Sequence, residues 1–164
     1  MPVFFCWSIE EAGLEKRNNS ILVAINDSVS SRAVVDFLAN MSLCPEEWDI
    51  SLLHFFRKPS SSEVLMGKKF AADQPARLTK ILGKAREKLI ESGFLPEKIK
   101  TELVDEQYET IADGIIEQAN RRKTSMVIIG RKRMSKAEEF VMGDISVKVI
   151  RALEGAAVLV VKSK

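Results

Sequence analysis

Val127 to Val161 reads VIIGRKRMSKAEEFVMGDISVKVIRALEGAAVLVV, and the fold of the chain is decided in this stretch. Its start completes Met126–Ile129 (MVII), an apolar run of strand length that begins one residue earlier and that Gly130 stops. A continuous apolar run of this kind suits a strand covered on both faces. A basic loop follows, Arg131-Lys132-Arg133-Met134-Ser135-Lys136. Ile145, Val149, Ile150 and Leu153 then recur at helical spacing, and Ala157–Val161 (AVLVV) reads as a closing strand. Strand, helix and strand in this order, with this much chain between the strands, make a parallel β-α-β unit.

The same alternation runs backward to Ser20. Ile21–Ile25 (ILVAI) is a strand ending in Asn26-Asp27-Ser28, and Val34, Phe37, Leu38 and Met41 mark a helix with Ser28, Ser30 and Ser31 available as its N-cap. Pro45 ends that helix. Ile50–Phe56 (ISLLHFF) is a second strand, followed by a Pro59-Ser60-Ser61-Ser62 breaker and a long connection to about Gln74. Leu78, Ile81, Leu82, Ala85 and Leu89 form one helical stripe closed by Ser92-Gly93. Lys98–Val104 is a third, more exposed strand, and Ile111, Ile115, Ile116 and Ala119 mark the helix before Met126. The predicted order is β-α-β-α-β-α-β-α-β. Right-handed crossovers convert it into an α/β fold, a five-stranded parallel sheet with helices on both faces.

Bulk properties agree with one globular domain. The 164 residues are 46% hydrophobic and 29% charged, with a formal net charge of +2. That charge is too small to imply a nucleic-acid or anionic-membrane partner, and no apolar run reaches the roughly 20 residues that span a bilayer. The basic loop has no interleaved aromatics and reads as a solvated surface. Cys6 and Cys44 form no CxxC pair and read as free thiols in a reducing cytoplasm. His54 is the single histidine, which leaves no His-rich metal cluster and no histidine triad. A phosphoacceptor reading of Asp27 and Asp105 lacks its strand-end aspartate in LLHFFRKP. Residues 1–19 stand apart. Their Pro2–Trp7 segment (PVFFCW) is too short and too acidic in its flank for a signal peptide, and it is expected to be an arm that packs on the domain or on a partner.

Ligands of open parallel sheets bind outside the carboxyl ends of the strands, where strand order reverses. That directs attention to Asn26-Asp27-Ser28, Phe55-Phe56 and the loop after Gly130, with Gly143-Asp144-Ile145-Ser146 opening the next helix. The 127–161 segment resembles the C-terminal signature of universal stress proteins, a family with a G-x2-G-x9-G-[ST] motif between its last two strands. Its ATP-binding members hold the phosphates there. ILVAINDS (21–28) resembles the family's opening strand and LLHFF (52–56) its second, so the likeness covers roughly residues 20–163 in order. The resemblance implies an adenine nucleotide alpha hydrolase-like, Rossmann-like domain over 20–164. It also implies a cytoplasmic stress-response role and a homodimer formed through the C-terminal edge strand. The nucleotide site it implies falls on Ala24, Asn26, Phe55, Ile129, Gly130, Arg133, Gly143, Asp144, Ile145 and Ser146.

Three positions depart from the family pattern. Gly130 and Gly143 keep the motif spacing, but the middle glycine falls on Arg133 and the final Ser/Thr on Asp144. The aspartate that contacts nucleotide in ATP binders falls on Asn26. Arg133 adds a long side chain where backbone must approach phosphate, and its guanidinium either blocks the site or supplies a contact. Asp144 puts negative charge where a phosphate would sit. Asn26 keeps hydrogen-bonding capacity and loses charge. The expectation is a dimeric regulatory domain, not an enzyme, that does not bind ATP in the usual way. No metal or resident cofactor is expected, ATP being the one the resemblance allows. The alternative is a nucleotide sensor for ATP or AMP in which Arg133 and Lys136 replace backbone contacts. An open loop from Gly130 to Gly143 would favour the sensor, and a loop closed by Asp144 would favour the interaction module.

Overall fold

The apolar runs form strands because helices cover both of their faces. Leu22, Val23, Leu52, Leu53, Val127 and Ile128 all have 0% exposure, and burying each such side chain stabilises the fold by roughly 1.5–3 kcal/mol. The computed structural model describes residues 19–57, 74–132 and 145–163. The strands are β1 (Ser20–Ala24), β2 (Asp49–Arg57), β3 (Ile99–Tyr108), β4 (Met126–Arg131) and β5 (Ala157–Lys162). The helices are α1 (Val29–Ala39), α2 (Gln74–Glu91), α3 (Ile111–Arg121) and α4 (Ile145–Ala152), with a short 3-10 turn at Pro96–Lys98. All strand pairs are parallel, in the order β3-β2-β1-β4-β5.

Side-chain alternation along each strand divides the interior into two cores. Ile21, Val23, Ile50, Leu52 and Ile128 meet Val34 and Leu38 of α1 and Leu82 and Leu89 of α2. On the opposite face, Leu22, Leu53, Val127 and Ile129 meet Ile115 and Ala119 of α3, together with Val149 of α4 and Leu153 just beyond it. The chain steps from β1 to β3 with helices on one face and returns to β4 and β5 with helices on the other, as right-handed crossovers require. The five-stranded parallel α/β fold expected from the sequence is therefore the fold observed.

Local signals set the helix ends. Ser28 caps α1, its Oγ accepting the Ser31 N–H at 3.2 Å. Pro75 sits in the first turn of α2, where its missing N–H has no intrahelical partner to lose. Phe94 N–H reaches back to the Leu89 carbonyl at 3.1 Å where that helix closes. Thr110 and Asp113 form a reciprocal capping box on α3, a cap worth about 1 kcal/mol.

β3 departs from expectation in length. It continues past Val104 to Tyr108 because the ladder slips: Phe55 pairs with Val104, whereas Phe56 pairs with Gln107. Asp105 and Glu106 fill the slip, and these exposed charges break the alternation that marks a strand. The arm at residues 1–18, the connection at 58–73 and the motif loop at 133–144 lie outside the described residues. Among the described residues, no helix is long and apolar enough to cross a membrane.

Candidate functional site

Strand order reverses between β1 and β4, and ligands of open parallel sheets bind in the crevice beyond the carboxyl ends at such a point. Ala24 of β1 pairs with Ile129 of β4 at this rim. Asn26 lies just beyond β1 and is exposed, and Gly130 follows Ile129. Gly130 is held against the first turn of α1. A Cβ there would stand 2.6 Å from the Ser30 carbonyl oxygen and 2.7 Å from its carbon. Both are backbone atoms and cannot swing aside. The first glycine of the motif is thus required by helix packing, whatever else it does.

The same turn of α1 organises Asn26. The Asn26 Oδ1 accepts a hydrogen bond from Ser28 Oγ at 2.5 Å and another from Ser31 Oγ at 2.6 Å. Its backbone N–H donates to Ser31 Oγ at 2.9 Å. Asn26 and Gly130 therefore sit on either side of one helical turn, tied to it through Ser31 and Ser30 respectively. Neighbouring Asp27 forms an exposed 3.5 Å ion pair with Arg77 of α2, worth at most about 1 kcal/mol in water.

His54 lies in the second half of β2, with Nδ1 2.8 Å from the Ile25 carbonyl. A carbonyl only accepts, so Nδ1 carries the proton. Burial pushes the imidazole below its usual value, opposed by this backbone bond. Phe55, the other β2 candidate, is part of the α3–α4 core. It meets Tyr108 edge to face at a centroid distance of 6.4 Å, with Gly114 of α3 beneath both rings. Ile145 and Ser146 begin α4, the former exposed and the latter buried. α4 is fixed to the α3 N-terminus by Lys148, whose Nζ lies 2.6 Å from Asp113 Oδ1 and 3.2 Å from Thr110 Oγ1. The Lys148 bond, then the Thr110 bond, holds the Asp113 carboxyl below its usual range.

The structure thus brings Ala24, Asn26, Ile129 and Gly130 together at one rim and places Phe55 in the core. Arg133, Lys136, Gly143 and Asp144 lie outside the described residues. Sequence reasoning read Ser31 only as a possible cap and missed its bonds to Asn26. The one signal was its five-residue distance from Asn26, which only a turn of helix after a cap brings into contact. An open depression of about 450 Å³ on α4, lined by Val147, Lys148, Arg151 and Ala152, includes none of the sequence candidates. Among the described residues, no group of three His, Cys, Asp or Glu is placed to hold a metal ion.

Comparison with known proteins agrees with this fold. Residues 17–162 match the model of the universal stress protein family. Three solved structures illustrate the fold likeness. One is a universal stress protein in complex with cAMP, 16% identical with a TM-score of 0.60, covering 87% of this chain and 95% of that one. Another, from Burkholderia pseudomallei, is 13% identical with a TM-score of 0.60, covering 92% of this chain and 100% of that one. The third, from Archaeoglobus fulgidus in complex with dAMP, is 16% identical with a TM-score of 0.57, covering 87% and 97%. A search of curated proteins found no match. With the family model spanning nearly the whole described domain, the chain belongs to the universal stress protein family.

Proposed function

We propose that this chain is a regulatory domain of the universal stress type that acts by self-association through β5 rather than by turnover. The observation that carries the reading is the β5 edge. Val158 to Val161 are half-buried in the single chain, pair residue for residue with β4, and, among the described residues, have no strand neighbour on their outer edge. A regular apolar edge of this kind is a template for another strand. The adjoining α4 keeps Val147 and Ile150 exposed. Val160 is half-buried and is not among the described residues of either core, so Val160→Lys places a charge on the edge strand while the fully buried side chains stay in place. Sedimentation velocity is expected to show a dimer for the parent and a monomer for this variant. A monomeric parent at tens of micromolar refutes the reading.

A second reading is favoured by Asn26, which presents a polar side chain at the switch-point rim. Two solved relatives are complexes with cAMP and with dAMP. On this reading the crevice takes a nucleotide chiefly by its base and sugar, because Arg133 and Asp144 alter the phosphate end. Calorimetric titration of nucleotide-stripped protein with AMP and with magnesium-ATP tests it. AMP binding as well as or better than ATP supports the reading, and silence toward both refutes it.

A further inference from the structure

Ser31 decides which way the Asn26 amide faces. The residue is 5% exposed, and its hydroxyl accepts the Asn26 backbone N–H at 2.9 Å and gives its own proton to Asn26 Oδ1 at 2.6 Å. Ser28 behaves in the same way. It accepts the Ser31 N–H at 3.2 Å and donates to Oδ1 at 2.5 Å, while Ser30, 2.8 Å away, supplies its proton to the Ser28 oxygen. With the amide turned round, an NH2 group would stand 2.5 and 2.6 Å from these two oxygens, shorter than N–H···O bonds run. The Ser31 proton would then keep only the 3.4 Å contact with Ser28. Oδ1 therefore faces the helix, and Nδ2 turns outward at the exposed rim with two donors.

We propose that Asn26 determines ligand specificity at the crevice by polarity. It selects nucleotides that present a hydrogen-bond acceptor to it, a ring nitrogen or keto oxygen of the base, and Ser31 is its positioning residue. This rests on the nucleotide reading of the crevice given above. An aspartate here would accept the same two hydroxyl protons and present a second oxygen outward, so a donor would be exchanged for a charged acceptor at nearly constant shape. An acceptor on the ligand facing that oxygen would be desolvated without a partner.

The test is calorimetric titration of the nucleotide-stripped full chain with AMP, GMP, IMP, CMP and UMP, for the parent, Asn26→Asp, Ser31→Ala and Ser31→Thr. The Asn26 side-chain amide is followed by nuclear magnetic resonance and assigned by its loss in Asn26→Asp. For the nucleotide that the parent binds best, Asn26→Asp is expected to weaken binding about tenfold or more. Its melting temperature should stay unchanged, because the carboxylate keeps both serine bonds. Ser31→Ala should also weaken binding, Ser31→Thr should restore it, and the Nδ2 protons should shift on saturation. Equal or tighter binding by Asn26→Asp, or an unmoved Nδ2 signal at saturation, overturns the polarity assignment and leaves the nucleotide reading standing. No heat with any of the five overturns both.

Discussion

The two edges of the sheet are built on opposite principles. β3 carries Lys100, Glu102, Asp105 and Glu106 on exposed positions and slips register against β2. Arg122 reaches back from the end of α3 to Glu102 at 2.7 Å, and Arg121 to Glu106 at 2.9 Å. The Glu106 carboxylate also accepts from the Tyr108 hydroxyl at 2.6 Å and from Gln118 Nε2 at 2.8 Å. β5 has none of this: it runs in unbroken register with β4, and Lys162 is its one charged residue. Charge and a bulge are means of keeping an edge from recruiting another strand. The sheet protects one side and leaves the other apolar, and on the proposed reading a pair of chains joined there would close on itself instead of starting a fibre.

Removing the protection of β3 gives the largest expected effect. Replacing Glu102, Asp105 and Glu106 together by valine makes both edges apolar, and light scattering should then show species larger than a dimer growing with concentration. If the triple variant keeps the parent's mass, charge is not what guards this edge. A smaller effect follows from Gln118, 1% exposed and bonded to Glu106, Tyr108 and Arg122. Gln118→Leu should lower stability by about 1–3 kcal/mol in urea melts without altering the association state. A shift in association would show that the two edges communicate.

The third effect is a pH dependence. The Tyr108 bond first, then the Arg121 bond, keeps the Glu106 carboxyl below its ordinary 4.5. The native state therefore holds this proton less readily than the unfolded chain. The stabilisation is full above about pH 4.5 and is lost as pH falls through the lower native value. Glu106→Gln should flatten the pH dependence of stability in that window, and an unchanged slope would show that the Glu106 contacts do not stabilise the β3 edge. Smallest is Lys98→Ala, which removes the exposed 3.3 Å pair with Asp49 at the start of β3. A loss of at most about 1 kcal/mol is expected by thermal melts.

These contrasts also explain what was legible in the sequence. ILVA, SLLHFF, MVII and AVLVV are readable because a strand buried on both faces is apolar along its whole length. The end of β3 was not readable, since the slip at Phe55 and Phe56 is a property of the pair and not of either strand. Which strands form the edges also depends on the pairing order, which periodicity does not encode. At the site, Asn26 and Gly130 stood out, but the reasons for them did not. Gly130 answers to the Ser30 backbone, and Asn26 to a serine brought close only by the first turn of α1. The choice between an open and a closed Gly130–Gly143 loop concerns residues 133–144, outside those described.

The most direct test of the account is backbone amide exchange in β5 and β3, measured across protein concentration. The account predicts that β5 amides become more protected as concentration rises, with β3 amides unchanged. Protection that rises equally at both edges, or at neither, would contradict it.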